Sequence, residues 1–176
     1  PPPIRPPAAR VIAVAPVIPA YVMGDVIGGY AARVRKARAA GIRPLTATSA
    51  SNYVAEQEAN LRRQVAGTGA EVFRAGDRLL IRLPASLAFA VGSSTLTTQA
   101  LATVGEIGLT LRNQKQSLVD VLGHTHSTGP AAVNKTLSER RAEAVAAELR
   151  KRGVASGRTG TRRYGSAYPI ATNAPE

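Results

Sequence analysis

The sequence predicts an α/β protein of the α+β kind, a mixed β-sheet packed against helices in βαβαβ order and preceded by an extended proline-rich arm. Three observations predict it. Helix-period runs alternate with short strand-like runs over residues 52–164, the pattern of helices layered on a sheet. The triplet Ala75-Gly76-Asp77 separates two strand-like runs, as a hairpin turn does. Seven of the first 20 residues are proline, which favours extended polyproline structure and forbids a continuous helix.

Taken in order, residues 1–50 read as arm and linker, and residues 51–176 as the domain. Val11 to Gly24 is apolar but broken by Pro16 and Pro19 and followed by Asp25, so it falls short of the roughly 18 residues a membrane span needs. Its Val11, Ile12, Val14, Val17 and Ile18 cannot be satisfied by prolines. The segment reads either as docked in a groove or sheet edge on another molecule or as a short buried piece, with the partner molecule the expected one. A helix is expected from about Asp25 to Ala40, ended by Gly41 and Pro44, with Thr46 to Ser51 as linker.

Ser51 or Asn52 can cap a helix running to about Val65, with Val54, Leu61 and Val65 on one face. Glu71 to Arg74 and Arg78 to Leu83 form the hairpin, and Pro84 ends it. The next helix spans about Thr97 to Asn113 and contains Gly105 and Gly108. Each glycine costs about 1 kcal/mol relative to Ala, so a close backbone contact is the expected reason for them. Ser117 to Leu122 is a strand. Thr136-Leu-Ser-Glu139 has capping-box spacing, and the helix after it presents Ala142, Val145, Ala146 and Leu149 as a core stripe up to Gly153. Arg158 to Tyr164 is the last strand.

Composition narrows the function. Lys and Arg total 23 against 11 acids, a net charge of +12, which attracts polyanions. The excess is spread over several runs, however, and aromatic residues, 4% of the chain, do not interleave with it. No stacking platform for single strands results, and nucleic acid is not the expected partner. Apolar residues at 44% exclude a disordered polyelectrolyte. Without Trp, the core must come from Ala, Val, Leu and Ile. The absence of Cys removes disulfides, thiol catalysis and a thiolate zinc site. With no initiator Met and no leader, the chain reads as a processed or trimmed product.

Gly123-His-Thr-His126-Ser-Thr-Gly129, then Asn134-Lys-Thr-Leu137-Ser138-Glu-Arg-Arg141-Ala142-Glu-Ala-Val145, then Leu149 and Gly153-Val154, resemble the OmpA-like peptidoglycan-binding family. Its pattern is a G-H-T-D-x-x-G loop followed by N-x-x-L-S-x-x-R-A-x-x-V-x-x-x-L. Upstream, Glu56-Gln-Glu58, Leu61-Arg62, Gln64-Val-Ala-Gly67-Thr-Gly69 and Gly76-Asp77 look like the subgroup of small outer-membrane lipoproteins. The resemblance covers about residues 52–176. It implies an OmpA-like domain in a Gram-negative periplasm, associated with the outer membrane, that binds the diaminopimelate side chain of the peptidoglycan stem peptide and catalyses nothing.

By that resemblance Thr125, His126, Asn134 and Arg141 are the binding residues. The ligand side chain ends in both an ammonium and a carboxylate, so one anion and one forked cation complement it, and the guanidinium of Arg141 can meet the carboxylate with two parallel bonds. Three departures matter. His126 stands where the family has Asp, Ala90 follows Phe89 where relatives carry another Asp, and the chain stops before the family's N-R-R-V-like last segment. A neutral His accepts one hydrogen bond and a protonated one repels an ammonium, so affinity is expected to be weakened. The alternative is a scaffold subunit of a large envelope complex that has lost wall binding. His124 and His126 form H-x-H, but no third metal ligand accompanies them, no G-x-S-x-G frames a serine, and no cofactor or metal is expected.

Overall fold

Period-two alternation makes a strand two-faced, and it is visible along Arg78–Pro84, where every second residue is buried. The computed structural model describes residues 9–16, 30–124 and 131–164. Its elements in chain order are β1 (Ala9–Pro16), α1 (Tyr30–Ala39), α2 (Ala47–Val65), β2 (Glu71–Ala75), β3 (Arg78–Pro84), α3 (Ala85–Ala88), α4 (Thr98–Asn113), β4 (Ser117–His124), α5 (Ala131–Lys151) and β5 (Thr159–Tyr164).

The five strands form one mixed sheet in the order β2-β3-β1-β4-β5. The first four are antiparallel to their neighbours, and β5 adds in parallel to β4. From β3 onward the long elements run β3-α4-β4-α5-β5, the expected order. A parallel neighbour requires a crossover, which α5 supplies. The β2–β3 turn puts Gly76 at φ 62°, the left-handed region that a two-residue hairpin reserves for glycine at its first position.

The arm needs correction. Residues 9–16 are no outlying tether: they form β1, the central strand, paired with β3 through Ile12↔Ile81 and with β4 through Ile12↔Val121. The stretch between Pro7 and Pro16 carries no proline, and its Val and Ile side chains fit a pleated sheet. Ile12 and Val14 are fully buried, each worth about 1.5–3 kcal/mol. Their partner is therefore the chain's own sheet and not another molecule. The arm residues 1–8 and 17–29 lie outside the described residues, as does the start of the expected 25–40 helix.

One sheet face holds the main core. Ile12, Val14, Val72, Leu79, Ile81, Leu83, Val119 and Val121 point there and meet Leu61 and Val65 of α2, Val104, Ile107 and Leu111 of α4, and Ala142, Val145, Ala146 and Leu149 of α5. The stripe expected on α5 is thus the buried one. Leu118, Asp120 and Leu122 alternate with those core residues on β4 and are buried as well. On that second face α1 crosses β4. Its Arg33 is ion-paired with Asp120 and donates to the carbonyls of Val119 (3.3 Å) and Arg158 (2.8 Å). Space for this comes from Gly160, where an added Cβ would lie 2.8 Å from the Asp120 carboxylate.

Two helix starts differ from expectation. Helix α2 begins at Ala47, capped by Thr46, whose hydroxyl accepts from the Ser49 N–H while the Ser49 hydroxyl accepts from the Thr46 N–H. The polar stretch taken for linker is therefore a reciprocal capping box followed by the first turn. Helix α5 begins at Ala131, so Thr136 lies inside it and donates to the Ala132 carbonyl one turn back. A Thr with this bond is tolerated in a helix interior. Helix α4, expected from about Thr97, begins at Thr98 with Thr97 as its cap, the hydroxyl accepting from the Ala100 N–H. The glycines of α4 meet a close contact: a Cβ on Gly108 would lie 2.8 Å from Arg152 Cβ, and one on Gly105 2.8 Å from the Arg152 guanidinium.

Candidate functional site

Helix α5 carries the only expected site side chain that is described. Arg141 lies on its rim, beside the buried stripe at Ala142 and Val145, and reaches the loop between α3 and α4. That loop is tightly built. Phe89 bridges Leu96, the Ser93 N–H donates to the Ala90 carbonyl (3.0 Å), and Thr97 donates through its N–H to Ala88 and through its hydroxyl to Leu87. Gly92 holds φ 72° at the tip.

Into this turn Arg141 donates twice, from Nε to the Ser93 carbonyl (2.7 Å) and from Nη2 to the Ala90 carbonyl (3.3 Å). Its guanidinium carbon sits 4.9 Å from the centroid of the Phe89 ring, a cation–π arrangement. Partial burial lowers its pKa from the usual Arg value, and the group remains a cation at neutral pH. A guanidinium has five N–H donors. The two bonds fix its plane and leave the Nη1 side without a partner among the described residues. A rigidly held guanidinium edge with spare donors is suited to a planar carboxylate.

Asn134 lies seven residues earlier on α5, two turns away and about 10 Å along the axis on the same side. Its side chain, together with Thr125 and His126 in full, falls outside the described residues. Their geometry toward Arg141 stays an expectation. Ala90, at the position where the resemblance leads one to expect Asp, is an immediate neighbour of the guanidinium through its carbonyl. Among the described residues no three of His, Asp and Glu gather where a metal ion could sit.

Sequence reasoning missed what seats Arg141. Phe89 was noted only for the residue after it, although an aromatic beside a loop that a basic helix residue can reach is a readable signal. It also missed Arg158, nearly fully buried at the head of β5. This residue donates from Nε to Ser117 (2.8 Å), from Nη1 to Leu111 (2.7 Å) and from Nη2 to Gln114 (2.8 Å), all backbone carbonyls. The last two belong to the C-terminal turn of α4, where a cation satisfies open carbonyls and the negative end of the helix dipole. Burial lowers the pKa of Arg158, which Tyr53 nearby partly opposes. Its role is architectural: it ties the end of α4 to the start of β4 and β5.

Comparison with known proteins follows this geometry. The sequence model of the OmpA family matches residues 88–176, a stretch that contains the Ala90–Ser93 turn and Arg141. The probable lipoprotein YiaD of Escherichia coli (strain K12) is 37% identical over 121 residues, covering 69% of this chain and 55% of that protein. Outer membrane porin F of Pseudomonas fluorescens is 34% identical over 97 residues, covering 55% of this chain and 30% of the porin. The chain therefore spans about half, or less, of the length of these relatives. Among solved structures, the periplasmic domain of Helicobacter pylori MotB superposes with a TM-score of 0.51 at 24% identity, covering 62% of this chain and 72% of that one. At that identity the likeness concerns the fold.

Proposed function

The chain belongs to the OmpA family, and from that premise we propose that it is a non-catalytic cell-envelope protein that holds an outer-membrane or periplasmic assembly to peptidoglycan. The ligand would be the diaminopimelate side chain of the stem peptide, bound with weakened affinity. In this reading the protein works in the periplasm, associated with the outer membrane, and among the described residues no helix is long and apolar enough to cross a membrane.

The observation that carries the reading is the seat of Arg141. Two backbone carbonyls and the Phe89 ring hold its guanidinium in one orientation and leave donors for a ligand carboxylate. Preorganisation of this kind lowers the entropy lost on binding. Thr125, His126 and Asn134 would complete the site around the ligand ammonium and amide. His126 supplies no fixed negative charge, and Ala90 supplies none either. Losing one charge-assisted hydrogen bond of about 1.5–3 kcal/mol weakens binding roughly 10- to 100-fold.

Co-sedimentation with purified sacculi tests the proposal. The protein should pellet with sacculi, free diaminopimelate should release it, and Arg141→Ala should stay in the supernatant with its thermal melt little changed. A protein that never pellets with sacculi would instead favour the scaffold reading, in which the domain is kept for its fold.

A further inference from the structure

We propose that the outward face of α1 is a docking surface for an anionic phospholipid bilayer, separate from the Arg141 site. From residue 26 to residue 55 the sequence holds no Asp or Glu, and it holds five cations: Arg33, Arg35, Lys36, Arg38 and Arg43. The structure splits them. Arg33 turns inward to Asp120, beside the buried Val34 and Ala37, so it contributes nothing to the surface charge. Arg35, Lys36, Arg38 and Arg43 are exposed. Gln116 donates from Nε2 to the Arg43 carbonyl (2.7 Å), which brings the exposed Lys115 alongside them.

What sets this patch apart is a run of cations with no acid in the same stretch of sequence. Elsewhere acids stand among the cations and pair several of them: Arg62 and Arg74 with Glu58, Arg82 with Glu71, Arg150 with Glu143, Arg152 with Glu148. No ion pair neutralises Arg35, Lys36, Arg38, Arg43 or Lys115 among the described residues. Five like charges on one short helix and its flank cost self-repulsion, which a surface of opposite sign relieves.

Two observations choose the bilayer over other polyanions. Among the described residues the patch offers no aromatic platform for nucleobases, since the neighbouring Tyr53 is committed to the Gln116 N–H and the Ser117 hydroxyl. The spacing of the cations along a rigid helix and its flank suits an extended array of headgroup phosphates more than one small anion. Val34 and Ala37 of α1 are buried, and the exposed apolar residues described on the helix are alanines, too small to insert into acyl chains. Attachment is therefore electrostatic adsorption, and it must weaken as salt rises.

The experiment is vesicle sedimentation of the full chain. Vesicles of phosphatidylcholine mixed with phosphatidylglycerol should bind it at low salt, pure phosphatidylcholine should not, and high salt should release it. The variant Arg35→Gln/Lys36→Gln/Arg38→Gln/Arg43→Gln should bind roughly 600-fold more weakly, at roughly fivefold for each of the four cations lost. The variant Arg35→Lys/Arg38→Lys/Arg43→Lys should retain binding. So should a control of equal charge change, Arg62→Gln/Arg63→Gln/Arg140→Gln/Lys151→Gln, and sacculus binding should survive in the α1 variant. The proposal is overturned if anionic vesicles fail to bind or if the α1 variant binds undiminished with its melt intact. It is also overturned if inorganic phosphate displaces vesicles better than chloride at equal ionic strength, or if duplex DNA binds more tightly than the vesicles.

Discussion

Arg33 and Asp120 lie 87 residues apart in sequence, yet the guanidinium of one is bonded to the carboxylate of the other on the second face of the sheet. The carboxylate is almost fully buried, with 2% of its side chain exposed. Removing Arg33 takes a bonded cation away from a buried carboxylate and two backbone carbonyls, which costs more than the net worth of a surface pair. Through this contact α1 becomes part of the sheet structure.

Arg33→Ala should therefore destabilise the protein by about 1.5–3 kcal/mol, the worth of hydrogen bonds to a charged group. Arg33→Lys should fall between, because an ammonium cannot reach Asp120 and two carbonyls from a planar fork. Urea denaturation midpoints measure both. A loss below about 0.5 kcal/mol for Arg33→Ala, the size of an ordinary surface change, would show that α1 does not depend on the contact.

The two glycines of α4 should respond differently to Ala. At Gly108 the new methyl meets Arg152 Cβ, close to the backbone of the α5 terminus, so the helices must part. Overpacking of this sort costs about 1–3 kcal/mol. At Gly105 it meets only the Arg152 guanidinium, which can swing away. Helix propensity then favours Ala by up to about 1 kcal/mol. Equal destabilisation by the two substitutions in thermal melts would contradict the geometry.

The elements most legible in sequence were those whose apolar period is complete. The β2–β3 hairpin, α4 and the Ala142-Val145-Ala146-Leu149 stripe each carry a pattern that local physics reads one way. Residues 9–16 misled because a short apolar run bounded by prolines looks the same whether its sheet lies in another molecule or in its own. Only the register with β3 and β4 decides. Thr46 and Thr136 misled in opposite directions, since Ser and Thr serve equally as caps, linkers and back-bonded interior residues. The site was half legible. Motif spacing pointed to Arg141, but the turn that orients it is a tertiary fact, as are the carbonyls that hold Arg158.

Because β1 is central, deleting residues 1–16 should remove the hydrogen-bond partners of both β3 and β4 and leave a protein without a cooperative melt. A synthetic peptide of residues 8–17 added in trans should restore part of the transition, since the slot it enters is lined on both sides by antiparallel neighbours. A truncated chain that melts as the full one does would return these residues to the status of a tether.

Burial raises the pKa of Tyr53 above its usual value, and the Ser117 hydroxyl and Arg158 offset this only in part. A folded-state pKa above the unfolded one contributes stability that is fully present below the unfolded value, near 10, and lost as pH rises through the folded value. Stability should thus fall in the alkaline range. Tyr53→Phe should flatten that fall while costing about 1–3 kcal/mol at neutral pH, because the Gln116 N–H loses its acceptor. Identical alkaline slopes in the two proteins would rule Tyr53 out as the titrating group.

The most direct measurement is titration calorimetry of a diaminopimelate-containing stem peptide into the protein, its Arg141→Ala variant and its His126→Asp variant. The account predicts weak binding by the native chain, none by Arg141→Ala, and a gain of about 1.5–3 kcal/mol for His126→Asp, the worth of a hydrogen bond to a charged group. No heat in any of the three, with all of them folded, would contradict it.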